Sequence, residues 1–169
     1  MNEDTISRYL ENDHCRLDGL LRRAALSSDA AGREALAEFR RRLLKHIAME
    51  EKILLPAIQE LRGGEPLPIA AQLRLEHGAI AALLVPTPRP AVIAALKAIL
   101  TRHNQREEGE GGVYADCDRI ANGERESILS RLRSAPEVPA AKHVDSPAVE
   151  ASARRALTRA GFDPTLLDP

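Results

Sequence analysis

Residues 41–56 read RRLLKHIAMEEKILLP, and the reading of this stretch decides the fold. As a helix it sets Phe39, Leu43, Ile53 and Ala57 along one apolar stripe at helical spacing. His46 and Glu50 fill the two places on that stripe where further apolar residues belong. A carboxylate inside a helical core must be neutralised, paired or bound to a cation, because burying a bare charge is costly. Residues four apart stand one turn above the other, with Cβ atoms about 5–6 Å apart. His46 and Glu50 can therefore reach one ion, or two adjacent ones. The chain repeats the device at His103-Asn104-Gln105-Arg106-Glu107. The pattern describes a protein built around an internal metal site.

Working outward, Asp4 or Thr5 can cap a first helix running to about Ala25. Its stripe is Ile6, Leu10, Leu17, Leu21 and Ala24, with His14 in the gap between Leu10 and Leu17. Ser27-Ser28-Asp29 is a short polar connection with cap residues. The second helix spans residues 31–61, is bent by Pro56, and ends at Gly63-Gly64. A third helix opens at Glu65-Pro66-Leu67-Pro68. Its stripe is Ile69, Leu73, Ile80 and Leu84, with His77 in the vacant core place. After the stiff loop at residues 85–90, Val92, Leu96 and Leu100 lead a fourth helix into His103, Glu107, Tyr114 and Cys117. Gly109, Gly111 and Gly112 weaken that helix, each by about 1 kcal/mol relative to alanine.

Asn122-Gly123 can end the fourth helix, and residues 127–132 add a further turn or two. Residues 134–147 read as a Pro- and Ala-rich linker before a last short helix that starts at Ser146-Pro147 and closes at Gly161. No stretch alternates as a strand would. The expected class is all-α: an up-down-up-down four-helix bundle with a short C-terminal helical tail. The expected organisation is a metal-binding bundle over residues 1–133, with the linker and tail over residues 134–169.

Composition narrows the function. The 169 residues suit one domain with an ordinary core and a tail. A net charge of -1 gives no general attraction for nucleic acid or an anionic membrane. With aromatics at 2% and no Trp, base-stacking surfaces are not expected. The N-terminus lacks the basic-then-apolar order of a signal peptide, and no stretch approaches the roughly 18 apolar residues of a membrane span. Cys15 and Cys117 make neither a CxxC motif nor a disulfide framework. A soluble protein of a reducing cytoplasm is the expectation.

Each of the four main helices thus carries one histidine in its core stripe, two of them followed one turn on by a glutamate. Singly, a core histidine is more often a structural residue. Six such positions in register, His14, His46, Glu50, His77, His103 and Glu107, are hard to obtain as packing. His143, in the linker, reads as a surface residue. Glu51 and Glu108 follow the core glutamates but face a different direction, which suits solvent or a supporting role better than direct ligation. Asp18, one turn after His14, reads either as a partner of an imidazole or as a solvated aspartate. Histidine and carboxylate without thiolate suit iron or manganese and permit zinc. Six ligands exceed one tetrahedral zinc and suit two ions bridged by the two carboxylates.

Together Asp13-His14, HIAMEEKILLP, Glu76-His77 and HNQREE resemble the hemerythrin-like family of HHE cation-binding domains over about residues 6–120. The resemblance implies a four-helix bundle holding a non-haem di-iron centre. His14 and His46 would serve one iron and His77 and His103 the other, with Glu50 and Glu107 bridging. The oxygen-carrying members have a His-x-x-x-His pair on the third helix, whereas Leu73 and Ala81 flank His77 here. Their second carboxylate is also spaced one residue further from its histidine. The set looks more like the branch that includes iron–sulfur repair proteins and iron- or oxygen-responsive domains.

The leading expectation is a di-iron protein that binds or reacts with oxygen, nitric oxide or peroxide in sensing or stress defence. The alternatives are a di-iron enzyme decomposing peroxide, and a metal-stabilised regulatory module. In the latter the C-terminal tail would dock on a partner protein or a second subunit.

Overall fold

Thr5 opens the first helix, α1 (Ile6–Leu26), its side-chain oxygen accepting a hydrogen bond from the Arg8 amide at 3.1 Å. Asp118, far along the chain, supplies a second cap. Its carboxylate accepts from the amides of Ile6 at 2.8 Å and Ser7 at 3.1 Å, and from the Ser7 hydroxyl at 2.5 Å. Asp29 in turn caps α2 (Ala30–Met49) by accepting from the Gly32 amide. The computed structural model describes residues 4–27 and 29–168. Ser28 of the Ser27-Ser28-Asp29 connection therefore lies outside the described residues, as do residues 1–3 and 169 at the ends of the two expected segments.

The bend expected at Pro56 takes a specific form. Residues Glu50–Leu54 make a π-helical turn, in which the Leu55 amide reaches back five residues to the Glu50 carbonyl, before α3 (Leu55–Leu61) resumes. Proline has no amide to donate, and its ring crowds the carbonyl one turn back; the wider turn accommodates both. The extra residue also rotates the stripe. Phe39, Leu43 and Ala57 are buried as predicted, but Ile53 is only half-buried, and Leu54, Leu55 and Ile58 take the core. The helix ends at the glycine pair, where Gly63 and Gly64 donate to the carbonyls of Glu60 and Gln59.

Then follow α4 (Ala70–Leu83), two residues later than its proline signal suggests, and α5 (Pro90–Glu108). The long fourth helix expected to continue to Cys117 is instead broken after Glu108. The chain turns through residues 109–112 and resumes as α6 (Val113–Ala121). Gly112 is required at this turn: a Cβ there would lie 2.5 Å from the Glu107 carbonyl oxygen. A short 3-10 turn, Asn122–Glu124, leads into α7 (Arg125–Arg133). After an irregular stretch over residues 135–146, α8 (Pro147–Arg159) is capped by Ser146 and has proline in its first turn. Every regular element among the described residues is helical, so the chain is all-α.

Two compact units share these elements. The first comprises Met1–Pro68 with Arg106–Ala140, and the second Ile69–Gln105 with Ala141–Pro169. In the first, α1 packs along α2 and meets α6 and α7, burying Ile6, Leu10, Leu17, Leu21, Phe39 and Leu43. In the second, α8 packs on α4, with Ala153, Ala156, Leu157 and Ala160 out of water. No helix among the described residues is long and apolar enough to cross a membrane.

Candidate metal centre

Within the first unit, the apolar spacing of α1 and α2 carries His14 and His46 inward, and both are buried. Glu50, at the start of the π turn, and Glu107, in the last turn of α5, are 2% and 1% exposed. The Nε2 atoms of the two histidines face each other at 2.8 Å, with ring centroids 4.5 Å apart. His46 Nε2 lies 3.5 Å from a Glu50 oxygen, and His14 Nε2 lies 3.5 Å from a Glu107 oxygen. His14, His46 and Glu107 each offer one donor atom within 4.8 Å of the others.

The other ring nitrogens are engaged. His46 Nδ1 donates to Asp13 at 2.9 Å, and His14 Nδ1 donates to the partly exposed Glu108. The Asp13 carboxyl stays below the usual carboxylate range, because the hydrogen bond and charge of His46 outweigh its burial. With Nδ1 donating on both rings, each Nε2 presents a lone pair whenever its imidazole is neutral. Two lone pairs at 2.8 Å repel unless a proton or a metal cation lies between them. The same demand appears in the His46 pKa. Burial alone would lower it, yet Glu50, Asp13 and Glu107 raise it to about 10. The carboxylates call for a positive charge, and this donor set fits a cation.

Tyr114 completes the first unit's cluster. It is 1% exposed, and its hydroxyl donates to Glu50 at 2.5 Å. The same oxygen lies 3.1 Å from Glu107 and 3.3–3.4 Å from the two Nε2 atoms. Burial and the two carboxylates push its pKa well above the ordinary phenol value, so the group is a neutral donor. Burial likewise pushes the Cys117 thiol up, with Glu50 adding to the effect, which disfavours the thiolate a metal would need.

The second unit holds His77 and His103, also buried, with Nε2 atoms 3.2 Å apart and rings edge to face. His103 Nδ1 donates to Glu76, which is 0% exposed, at 2.8 Å. The two units thus share a rule. The acid preceding one histidine engages the Nδ1 of the other histidine of the pair: Asp13 for His46, Glu76 for His103. On a helix, neighbours point about 100° apart, so the acid beside an inward histidine points towards the adjoining helix.

All six predicted residues are therefore buried, His14, His46, Glu50 and Glu107 in the first unit and His77 and His103 in the second. The imidazole partner proves to be Asp13 rather than Asp18, which pairs with Arg22 on the surface. The acid–histidine dipeptides were the available signal for Asp13 and Glu76. Tyr114 looked like an ordinary stripe residue, since nothing in the periodicity marks where its hydroxyl ends. His143 is exposed, as expected.

Fold and site together define an all-helical cation-binding protein with buried histidine–carboxylate clusters. The family model described as Hemerythrin HHE cation binding domain matches residues 5–111, and the chain belongs to that family. No curated protein and no solved structure matches the chain.

Proposed function

We propose that this chain is a non-haem di-iron protein that binds or reacts with a small ligand, oxygen, nitric oxide or peroxide, in sensing or stress defence. In this reading a four-helix bundle formed by α1, α2 with α3, α4 and α5 holds two ions. By the family resemblance His14 and His46 would hold one and His77 and His103 the other, with Glu50 and Glu107 shared between them. The observation that carries the reading is the pair of Nε2 atoms facing each other at 2.8 Å beside buried carboxylates, an arrangement that calls for a cation or a proton between them. Nitrogen and oxygen donors without thiolate suit iron. Bound iron would supply redox chemistry. The chain's own residues orient the donors through Asp13, Glu108 and Glu76, and keep water away with the apolar stripes. Leu73 and Ala81 donate nothing, so the set is rich in carboxylate oxygen relative to nitrogen, which favours the ferric state.

The test is anaerobic loading of the apoprotein with ferrous iron, followed by metal analysis and mixing with oxygen or nitric oxide. The expected result is two irons per chain, a spectral response to nitric oxide, and irreversible oxidation in air. His46→Ala should lose most of its iron, whereas His143→Ala should retain it. Stoichiometric zinc with no iron uptake would reject the iron assignment. Reversible oxygen uptake would make oxygen carriage the better reading.

A further inference from the structure

We propose that the end of the C-terminal helix positions a metal-binding histidine, through Gln72 and Glu76. The proposal rests on His103 being a ligand, as argued above. The Gln72 amide nitrogen carries two hydrogens, and the structure gives it two acceptors. It donates to Glu76 Oε1 at 3.0 Å and to the Ala160 carbonyl at 3.1 Å. The other Glu76 oxygen accepts from His103 Nδ1 at 2.8 Å. A continuous chain of hydrogen bonds therefore runs from the α8 terminus to the ring of His103.

The far end of this chain is anchored. Helix α8 closes with the Gly161 amide on the Thr158 carbonyl and the Phe162 amide on the Leu157 carbonyl. This closure needs the left-handed conformation that Gly161 adopts at φ +81°. The Ala160 carbonyl is one of the four at a helix end that the helix itself cannot satisfy. Gln72 and Arg102 take it, the Arg102 guanidinium at 3.2 Å. Arg102 also reaches the Gly161 carbonyl at 3.2 Å, and it lies 3.8 Å over the ring of Phe162. It immediately precedes His103 on α5. Ala160 and Leu157 are fully buried, so the α8 end is held in place by packing as well.

A ligand imidazole is held in rotation and tautomer by whatever its second nitrogen meets, and a carboxylate in that role must itself be held. Glu76 fixes His103, Gln72 fixes Glu76, and the tail fixes Gln72. Gln72 and Glu76 are positioning residues, and the C-terminal segment belongs to the centre although it supplies no ligand.

The test uses the full chain, labelled with ¹⁵N-histidine, as wild type, Gln72→Leu, Glu76→Ala and the double variant. Gln72 is half-buried, and leucine keeps its bulk and helix propensity, so the fold is expected to be kept. Two quantities are read: the His103 Nδ1–H resonance of the metal-free protein, and the rate at which zinc-loaded protein yields zinc to excess chelator. Gln72→Leu should move the resonance and speed release about three- to tenfold, below the roughly 10–100-fold of losing a direct partner. In the Glu76→Ala background the same change should add less than about twofold, because the route through Glu76 is already cut. A wild-type resonance and release rate in Gln72→Leu would overturn the proposal. So would an equal increment in both backgrounds, which would indicate general loosening. Failure of the wild type to take up any metal would instead overturn the metal reading, while the resonance still decides whether the tail fixes His103.

Discussion

Replacing Tyr114 with phenylalanine removes a single oxygen that touches Glu50, Glu107, His14 and His46 at once. The ring stays, so the packing of α6 is preserved. The closest contact is the 2.5 Å hydrogen bond to the buried Glu50 carboxylate. A hydrogen bond to a charged group contributes about 1.5–3 kcal/mol. The metal-free variant should therefore be roughly 2 kcal/mol less stable than the wild type. With a cation in place Glu50 no longer depends on the hydroxyl, and the cost should fall to about 0.5–1 kcal/mol, that of an ordinary hydrogen bond. The difference, about 1–1.5 kcal/mol, must appear in the metal affinity, since folding and binding close one thermodynamic cycle. Tyr114→Phe is thus expected to bind metal about tenfold more tightly, at 1.4 kcal/mol per decade. Urea unfolding of metal-free and zinc-loaded forms, with a competitive zinc titration, measures both sides of the cycle. A variant that binds metal more weakly than the wild type would refute the reasoning, and would mean that the phenol oxygen helps to hold the ion.

Other outcomes follow from packing and capping. Asp118→Ala removes the carboxylate that closes the start of α1, and should cost about 1–2 kcal/mol in urea unfolding while leaving metal stoichiometry unchanged. Leu157→Ala empties a fully buried place in α8 and should cost about 2–5 kcal/mol, a fall of about 5–15 °C in Tm measured by calorimetry. A loss within about 0.5 kcal/mol would show that the tail contributes nothing to the fold. Chelating the metal should lower Tm as well, since free metal at 100 times its Kd stabilises the folded state by about 2.7 kcal/mol.

Much of this could be read from spacing because burial imposes a period. His14, His46, His77 and His103 stand where leucine would, and a polar residue in an apolar register is visible in the sequence alone. What the period could not carry were local changes of register. Pro56 announced a bend, but only the structure shows a π turn, and with it the replacement of Ile53 by Leu54 and Leu55 in the core. Gly109, Gly111 and Gly112 announced weakness, but the close approach of residue 112 to the Glu107 carbonyl depends on the path the backbone takes through the turn, which spacing does not give. That break lets α6 return the Tyr114 hydroxyl to Glu107. The partners of the imidazoles were less legible, because Asp13, Glu76 and Glu108 lie off the stripes. A carboxylate beside a stripe looks solvated until the neighbouring helix is known.

The division of the chain has a consequence for how the protein is made. Neither unit is a continuous run of sequence: the backbone passes from one to the other after Pro68, after Gln105 and after Ala140. A nascent chain leaving the ribosome exposes His77, Glu76 and His103 well before it exposes Ala160. Until α8 has emerged, Gln72 lacks one of its two acceptors and the second histidine pair stands without its support. Translation therefore completes the first unit's sequence before the second's. If His77 and His103 hold an ion, as proposed above, the α8 end that supports Gln72 is the last part of their surroundings to be made.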